Sequence, residues 1–209
     1  RYPNLCILLT GGHTEIYLLE TKNKFILLGE TLDDAIGETF DKVGKLLGLN
    51  YPGGPEIEKQ ALMGDEKAFE LPTPLLNEDN SDFSFSGLKT AINQIVKKNE
   101  KNSDFVSNLS ASFQLCVTRI LLEKIKKTIK KLNEQSININ SLSVVGGVSK
   151  NKYITKKIKD YFTRDNIDII FPREDMMSDN AAMIAWNCLN KNLISDNDIF
   201  FKANPRLTI

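Results

Sequence analysis

Leu142-Ser143-Val144-Val145-Gly146-Gly147-Val148-Ser149, residues 142–149, predicts a short buried strand that ends in two glycines and leads into a helix. That helix is expected over residues 149–162, and a second strand and helix are expected at residues 167–171 and 178–189. Strands that alternate with helices in this way are typical of a parallel sheet with crossover connections. The last third of the chain is therefore predicted to be an α/β lobe.

The start of the chain has the same form. An apolar run at residues 5–9 is followed by Thr10-Gly11-Gly12-His13-Thr14, and strand-like runs follow at residues 16–19 and 25–28. These runs predict a three-stranded antiparallel unit.

The middle of the chain is predicted to be mainly helical. Apolar residues recur every three or four positions over residues 31–47, which predicts a helix with Thr31 as its cap and Gly48 as its stop. A rigid loop at residues 51–55 leads to a helix that restarts at Pro55. Residues 71–86 are expected to be irregular except for a short strand at residues 83–85, and helices are expected at residues 87–98 and 104–132.

Composition places the chain among ordinary soluble proteins. Of its 209 residues, 41% are hydrophobic and 26% are charged, and 27 basic residues balance 27 acidic ones. The balance excludes a strong overall field toward nucleic acid or lipid, so any RNA contact is expected to be local. No apolar run is long enough to predict a membrane span. Three separated cysteines predict buried free thiols in a reducing cytosol, and the start at Arg1-Tyr2-Pro3-Asn4 suggests a piece of something longer.

The two Gly-Gly loops are the first candidates for a binding site. Glycine lets backbone N–H groups approach phosphate oxygens closely, and a helix start after the second loop offers further donors, with Ser149 as cap and Asn151 in the first turn. Each loop alone has a simpler interpretation, as a tight turn or a packing device at a strand end. The occurrence of both in one chain favours a nucleotide site.

Charged residues give weaker signals. Asp34, Glu38 and Asp41 are predicted to share one helix face, where they would bind ribose hydroxyls or a metal, or form a solvated face that pairs with Lys45. Asp179 precedes an apolar helical run and either supports the helix start or binds a metal. His13 is expected to orient its loop rather than to bind a metal.

A lysine-rich helix face raises a separate question. The basic residues are expected to form a solvated outer face, with an RNA-binding patch as the alternative; they are Lys124, Lys126, Lys127, Lys130 and Lys131.

In their order and in the identity of their residues, these motifs resemble the TsaD family of tRNA threonylcarbamoyladenosine synthases along nearly the whole chain. The resemblance is carried by residues 10–14, 29–35, 37–42, 46–49, 51–55, 82–90, 146–149 and 179–185. Two of these motifs read Asp82-Phe83-Ser84-Phe85-Ser86-Gly87-Leu88-Lys89-Thr90 and, at its start, Asp179-Asn180-Ala181-Ala182-Met183. So many linked motifs in this order are specific to this family.

The resemblance implies an α/β fold of the actin-like ATPase (ASKHA) class, with mixed sheets flanked by helices and an incomplete N-terminal lobe. It implies three parts: strands that complete the first lobe at residues 1–30, a helical region with an irregular insertion at 31–135, and a second α/β lobe with the nucleotide loop at 136–209. The implied activity is transfer of threonylcarbamoyl from threonylcarbamoyl-adenylate to the adenosine next to the anticodon of tRNAs. Attack by the exocyclic amine on an activated carbonyl needs no nucleophilic residue of the enzyme.

The resemblance also implies the site residues. Asp41, Gly54 and Glu58 would hold the ribose and adenine side, Asn151 would contact the nucleotide, and Asp179 would bind a divalent metal of the iron or zinc type. The phosphate side would be handled by the first loop, which comprises Leu8, Leu9, Thr10, Gly11 and Gly12.

The family's other metal ligands are two histidines four residues apart, and this sequence contains one histidine. The metal site of this chain is therefore expected to be incomplete. The resemblance further implies tRNA and small partner subunits as partners, a cytoplasmic location and no membrane. Two alternatives keep the fold but change the function: a small-molecule kinase, and a non-catalytic nucleotide-binding assembly subunit.

Overall fold

The central strand of the sheet is β1 (Asn4–Leu9). Its side chains alternate, so that Leu5, Ile7 and Leu9 are fully buried whereas Cys6 and Leu8 are half-buried. This period of two fixes which face of the strand meets the core. The computed structural model describes residues 1–163, 167–177 and 181–191.

A mixed five-stranded sheet forms around β1, in the order β3-β2-β1-β4-β5. β2 (Thr14–Thr21) and β3 (Lys24–Glu30) continue it antiparallel, which confirms the predicted antiparallel start. β4 (Ser141–Val145) lies parallel to β1, and β5 (Asp168–Ile170) lies parallel to β4, which confirms the predicted parallel part. The strands predicted at the two ends of the chain therefore belong to one sheet.

The helices follow the predicted order. The described residues form α1 (Ile36–Leu47), α2 (Gly53–Ala61), α3 (Ser86–Lys98), α4 (Ser103–Glu134), α5 (Lys152–Phe162) and α6 (Ala181–Lys191). Two short 3-10 helices lie at Gly147–Lys150 and Glu174–Met176. Instead of the predicted strand at residues 83–85, the structure has a single bridge between Thr31 and Phe83.

Arg1–Met177 form one compact unit, and Ser178–Ile209 form a second, of which α6 is described. The predicted division of the chain at residues 30 and 135 stays a prediction.

The core of the first unit is organised around α4. Leu109, Phe113, Val117 and Ile120 of this helix are fully buried and belong to the same cluster as the inward face of β1. By length and composition α4 could also cross a membrane, but 72% of its apolar window is buried inside the fold. α4 is therefore best explained as a core helix.

The start of α1 differs from the prediction. The helix begins at Ile36 rather than at Thr31, and Leu32 is exposed. Its first N–H, on Ile36, donates to the hydroxyl oxygen of Thr14 at 2.8 Å, so the cap comes from β2. The Thr31 hydroxyl instead donates to the carbonyl oxygen of Asp34. The predicted stop is confirmed, because Gly48 ends the helix with a φ of 79°.

The start of α5 also differs. Residues 147–150 form a 3-10 turn before the helix, and the Ser149 hydroxyl donates back to the Gly146 carbonyl at 2.6 Å. The cap of α5 is Asn151, whose Oδ1 accepts a hydrogen bond from the Ile154 N–H at 2.9 Å. The prediction that Ser149 caps the helix is therefore wrong, and Asn151 lies at the cap rather than in the first turn.

The three cysteines are free. Burial raises the pKa of the Cys6 thiol, and it raises the pKa of Cys116 to about 11. Neither thiol is therefore activated as a nucleophile at neutral pH.

Candidate functional site

A cleft of about 260 Å³ lies where the carboxyl ends of β1 and β4 meet. Two parallel neighbouring strands bring the loops that follow them to the same edge of the sheet, which is where α/β folds usually bind ligands. The cleft is lined by Gly11, Gly37, Phe40, Asp41, Pro52, Gly54, Pro55, Glu58, Gly147, Val148, Lys150 and Asn151. The two predicted Gly-Gly loops therefore open into one cavity.

Close backbone contacts hold the two loops together. A side chain at Gly146 would place its Cβ 2.3 Å from the Leu9 carbonyl oxygen, and Gly146 also has a φ of 95°, which glycine alone adopts readily. A Cβ at Gly37 would lie 2.8 Å from the Thr10 carbonyl oxygen, so α1 packs equally closely against the first loop. These close approaches therefore require glycine at both positions.

The first loop is closed by its own threonine. The Thr10 hydroxyl oxygen accepts hydrogen bonds from the N–H groups of Gly12 and His13, and the Thr10 N–H donates to the His13 carbonyl. Of the five residues predicted from this loop, Gly11 lines the cleft, whereas Leu9 is buried in the core and Leu8, Thr10 and Gly12 are not among the lining residues. The His13 N–H and carbonyl help to close the turn, and its side chain is exposed.

Asp41 joins α1 to α2. Its Oδ1 accepts a hydrogen bond from the Gly53 N–H at 2.7 Å, at the first residue of α2. The helices meet backbone to backbone here, because a Cβ at Gly53 would lie 2.7 Å from the Phe40 carbonyl oxygen. Within the described residues, Asp41 Oδ2 has no hydrogen-bond partner, so it is available to a ligand hydroxyl.

Glu58 joins α2 to α5 in the same way. Its Oε1 accepts a hydrogen bond from the Lys152 N–H at 2.7 Å, at the first residue of α5. Its second oxygen is not hydrogen-bonded to any side chain or backbone group that the structure describes. The two carboxylates therefore stand on the wall of one cleft, each with one oxygen bound to a helix start and one open.

The prediction that Asp34, Glu38 and Asp41 share one face is wrong, because the helix starts after Asp34. Asp34 instead forms salt bridges with Lys42 at 2.6 Å and Lys89 at 3.0 Å. Glu38 pairs with Lys42 at 2.9 Å. Asp41 alone of the three lines the cleft. Lys42, four residues after Glu38, takes the pairing role that was expected of Lys45.

Asn151 lines the cleft, but its side chain is largely engaged elsewhere. Besides capping α5, its Nδ2 donates to Gln114 Oε1 on α4 at 2.9 Å, and 7% of the residue is exposed. These bonds fix the position of the second loop. The predicted contact of Asn151 with a nucleotide stays a prediction, as do the ligand contacts of Gly54, which also lines the cleft.

The motif at residues 82–90 is organised by Asp33, which the sequence did not single out. Asp33 Oδ1 accepts hydrogen bonds from the N–H groups of Phe85 at 2.8 Å and Ser86 at 3.3 Å, and Oδ2 accepts from the Ser84 and Ser86 hydroxyls. Burial raises the pKa of this carboxyl, but the hydrogen bonds outweigh that effect and leave the pKa below its usual range. Asp33 therefore anchors the start of α3.

Three lysines of α4 secure the segment before that motif. Lys124 is fully buried and donates to the backbone and side-chain oxygens of Asn80. Lys127 donates to the carbonyls of Leu76 and Glu78, and Lys131 donates to the carbonyl of Asp79 and forms a salt bridge with its side chain. The expected solvated face is therefore wrong for Lys124, whereas Lys126 and Lys130 are exposed as expected. The sequence could not show these contacts, because the partners lie more than 40 residues away. The alternative of an RNA patch on this helix stays untested.

The predicted metal ligand is Asp179, which lies outside the described residues. Among residues 1–163, 167–177 and 181–191, no group of three His, Cys, Asp or Glu side chains could hold a metal ion. The described part of the chain therefore does not supply a metal centre.

Comparison with known proteins gives a family and a fold. The family model for tRNA N6-adenosine threonylcarbamoyltransferase (TsaD) matches residues 1–186. Proteins of that name from Wolbachia sp. subsp. Brugia malayi (strain TRS) and Thermosipho africanus (strain TCF52B) are 40% and 41% identical over 209 and 210 residues. Each alignment covers 99% of this chain, but 61% and 62% of the relative. The chain thus spans about three-fifths of the length of these relatives.

Two solved structures share the fold. T. kodakarensis HypF has a TM-score of 0.53 at 16% identity, covering 84% of this chain and 21% of that protein. Full-length HypF in a phosphate- and nucleotide-bound form has a TM-score of 0.53 at 14% identity, covering 80% and 36%. These likenesses support the predicted actin-like ATPase class of fold, and at such low identity they show the fold alone.

Proposed function

The chain belongs to the TsaD family of tRNA N6-adenosine threonylcarbamoyltransferases, and from that premise we propose that the protein transfers threonylcarbamoyl from threonylcarbamoyl-adenylate to the adenosine next to the anticodon of tRNAs. One observation carries the proposal. Both Gly-Gly loops and two carboxylates, Asp41 and Glu58, line a single cleft.

The carboxylates suit the nucleoside end of the adenylate. An ionised carboxylate accepts hydrogen bonds from hydroxyl groups, and a ribose presents two neighbouring hydroxyls. Asp41 and Glu58 each keep one oxygen for such a bond, while the other oxygen is held by a helix N–H. We therefore assign the ribose to these residues and the adenine to the wall beside Gly54.

The glycine loops suit the phosphate end. Gly11 and Gly147 bring backbone without side chains to the cleft, and Lys150 adds a cationic side chain to the same lining. A positive charge and uncovered backbone hold a phosphate that gains negative charge as it departs. Lys150 lies in the second loop unit of the sequence, but no role was predicted for it there.

The reaction itself is an acyl transfer. The exocyclic amine of adenosine forms a bond to the threonylcarbamoyl carbonyl, the bond from that carbonyl to the phosphate breaks, AMP leaves, and the amine loses a proton. The role assigned to this chain is to hold the adenylate so that the carbonyl stays in position for attack. A divalent metal of the iron or zinc type at Asp179 remains part of the proposal, and it would supply Lewis acidity when bound.

The wider setting is also proposed from family membership. The protein would act on tRNA in the cytoplasm, together with small partner subunits. Neither the small-molecule kinase nor the non-catalytic assembly subunit is favoured by the comparisons.

The test is made on the protein in the cells that produce it. After depletion of the protein, tRNA is digested and its nucleosides are measured by mass spectrometry. We expect N6-threonylcarbamoyladenosine to disappear and to return with the wild-type protein, but to return only in part with Asp41→Asn, which can still cap α2. An unchanged level of the modified nucleoside after depletion would contradict the proposed function.

A further inference from the structure

A row of lysines follows one side of α5 and has no role in the cleft. Lys152, Lys156 and Lys159 are exposed and are spaced by four and three residues, so they share one face of the helix. The opposite face, with Ile154, Ile158 and Phe162, is buried in the core. The helix cannot rotate without exposing that apolar face, so the lysines are held on one surface.

These lysines line a groove rather than a flat surface. The groove has a volume of about 300 Å³ and is lined by Ser149, Lys150, Lys152, Thr155, Lys156, Lys159, Phe171, Glu174 and Met177. Its walls thus carry four cations against one carboxylate, together with two hydroxyls and one aromatic ring. We call it the lysine groove.

The charge of the lysine groove is not neutralised by its surroundings. Within the part of the chain that the structure describes, none of the four ammonium groups has a carboxylate oxygen within salt-bridge distance. Some lysines elsewhere are paired, as Lys42 and Lys89 are with Asp34. A local positive field therefore exists on a chain with no net charge.

The lysine groove continues into the candidate nucleotide cleft. Lys150 lines both, and Lys152 is the residue whose N–H is bound by Glu58 of the cleft. From Lys152 to Lys159 the groove follows α5 for about 10 Å, at 1.5 Å per residue. An extended, negatively charged polymer bound along the lysine groove would end beside the cleft.

We propose that the lysine groove binds the phosphate backbone of the RNA substrate next to the nucleotide that reacts. This inference rests on the proposed function. Lysines act as point charges for phosphates and carry no sequence preference, which suits an enzyme that must accept several tRNAs. A membrane surface is less suitable, because the apolar residues of the groove, Phe171 and Met177, are half-buried and buried rather than protruding.

The experiment removes three charges without touching the cleft. In the triple variant Lys152→Gln/Lys156→Gln/Lys159→Gln, glutamine keeps the helix propensity of lysine, and Lys150 is left unchanged because it lines the cleft. Binding of tRNA is measured by fluorescence anisotropy over a range of salt concentrations. The slope of log K against log salt is negative, and each lost phosphate contact reduces its magnitude by about 0.7 to 0.9. At 0.15 M salt this corresponds to roughly fivefold weaker binding for each contact, taking 1 M salt as reference.

A second basic groove supplies the matched control. Lys45, Lys97 and Lys101 are exposed residues that line a groove which also contains Lys42 and Lys89. The variant Lys45→Gln/Lys97→Gln/Lys101→Gln removes the same charge from that groove. We expect it to bind tRNA within about twofold of the wild type. Equal losses in the two triple variants, or no loss in the α5 variant, would overturn the inference.

Two further measurements separate this inference from the proposed function. If the wild type modifies tRNA and the α5 variant binds and modifies it equally well, the groove proposal fails alone. If the wild type neither binds nor modifies tRNA, the proposed function fails. Binding to vesicles of phosphatidylcholine and phosphatidylserine that depends on the same lysines, without tRNA binding, would assign the groove to a lipid surface and would also overturn the inference.

Discussion

Gly146→Ala tests whether the two glycine loops are held together as the structure shows. Gly146 has φ 95° and ψ 171°, a region that is almost restricted to glycine, and forcing alanine into it costs about 1–3 kcal/mol. The new Cβ would also lie 2.3 Å from the Leu9 carbonyl oxygen and 2.9 Å from Thr10 Cγ2. Crowding of this kind costs about 1–3 kcal/mol more. The expected loss of unfolding free energy is therefore about 2–6 kcal/mol.

The assay is thermal unfolding of the purified protein, followed by calorimetry or circular dichroism. For a chain of this size each kcal/mol lowers Tm by about 2–4 °C, so Gly146→Ala is expected to lower Tm by roughly 4–24 °C. Gly147→Ala is the matched control, because among the residues that the structure describes its Cβ would meet only the Met177 carbonyl oxygen, at 3.9 Å, an ordinary contact. If both variants melt within about 2 °C of each other, the close packing of the β1 and β4 loops is refuted.

Three further outcomes are expected. Glu58→Gln should weaken binding of an ATP analogue in calorimetric titration by roughly tenfold or more, because a hydrogen bond to a charged acceptor contributes about 1.5–3 kcal/mol; Glu56→Gln, on the same helix but outside the cleft, should not. The pKa of Asp33 is lowered in the folded state. Its contribution to stability is therefore present above the unfolded pKa of about 3.9 and is lost as pH falls through the folded pKa. In Asp33→Asn the decline of Tm at acidic pH should be shallower, and an unchanged decline would contradict this. Lys124→Met should lower the unfolding free energy by about 1–3 kcal/mol in denaturant titrations, because it leaves the oxygens of Asn80 without their donor; an unchanged midpoint would show that the buried ammonium does not stabilise that segment.

The sheet and most helices could be predicted because their signals are local. The apolar run at residues 5–9 and the run at residues 142–145 each end in two glycines, and the structure places both in neighbouring parallel strands. Gly48 ends α1 as expected, since a left-handed residue is required there and glycine adopts it at low cost.

The errors arise where a distant segment determines the local structure. Residues 31–35 have a helical apolar pattern, yet Asp33 turns away to bind the backbone at Phe85 and Ser86, and Thr14 of β2 caps α1. These partners are separated along the chain by more than 20 residues. Periodicity reports which face is apolar, and it carries no information about which hydrogen-bond partner is near.

The cleft was predicted only in part, because some of its bonds also join distant segments of the chain. Asp41, Glu58 and Asn151, which the resemblance assigned to the nucleotide, all line the cleft, and their contacts with a ligand stay predictions. Their bonds to helix starts and to Gln114 were not foreseen, because each joins two elements that are far apart in sequence. Lys150 was missed because a single lysine after a glycine motif has no distinguishing pattern.

The most direct measurement is a crystal structure of the protein with a non-hydrolysable ATP analogue. Electron density for the ribose beside the open oxygens of Asp41 and Glu58, with the phosphates between Gly11 and Gly147, is the result that we predict. An analogue bound at another surface while this cleft stays empty would contradict a nucleotide site formed by the loops that follow β1 and β4.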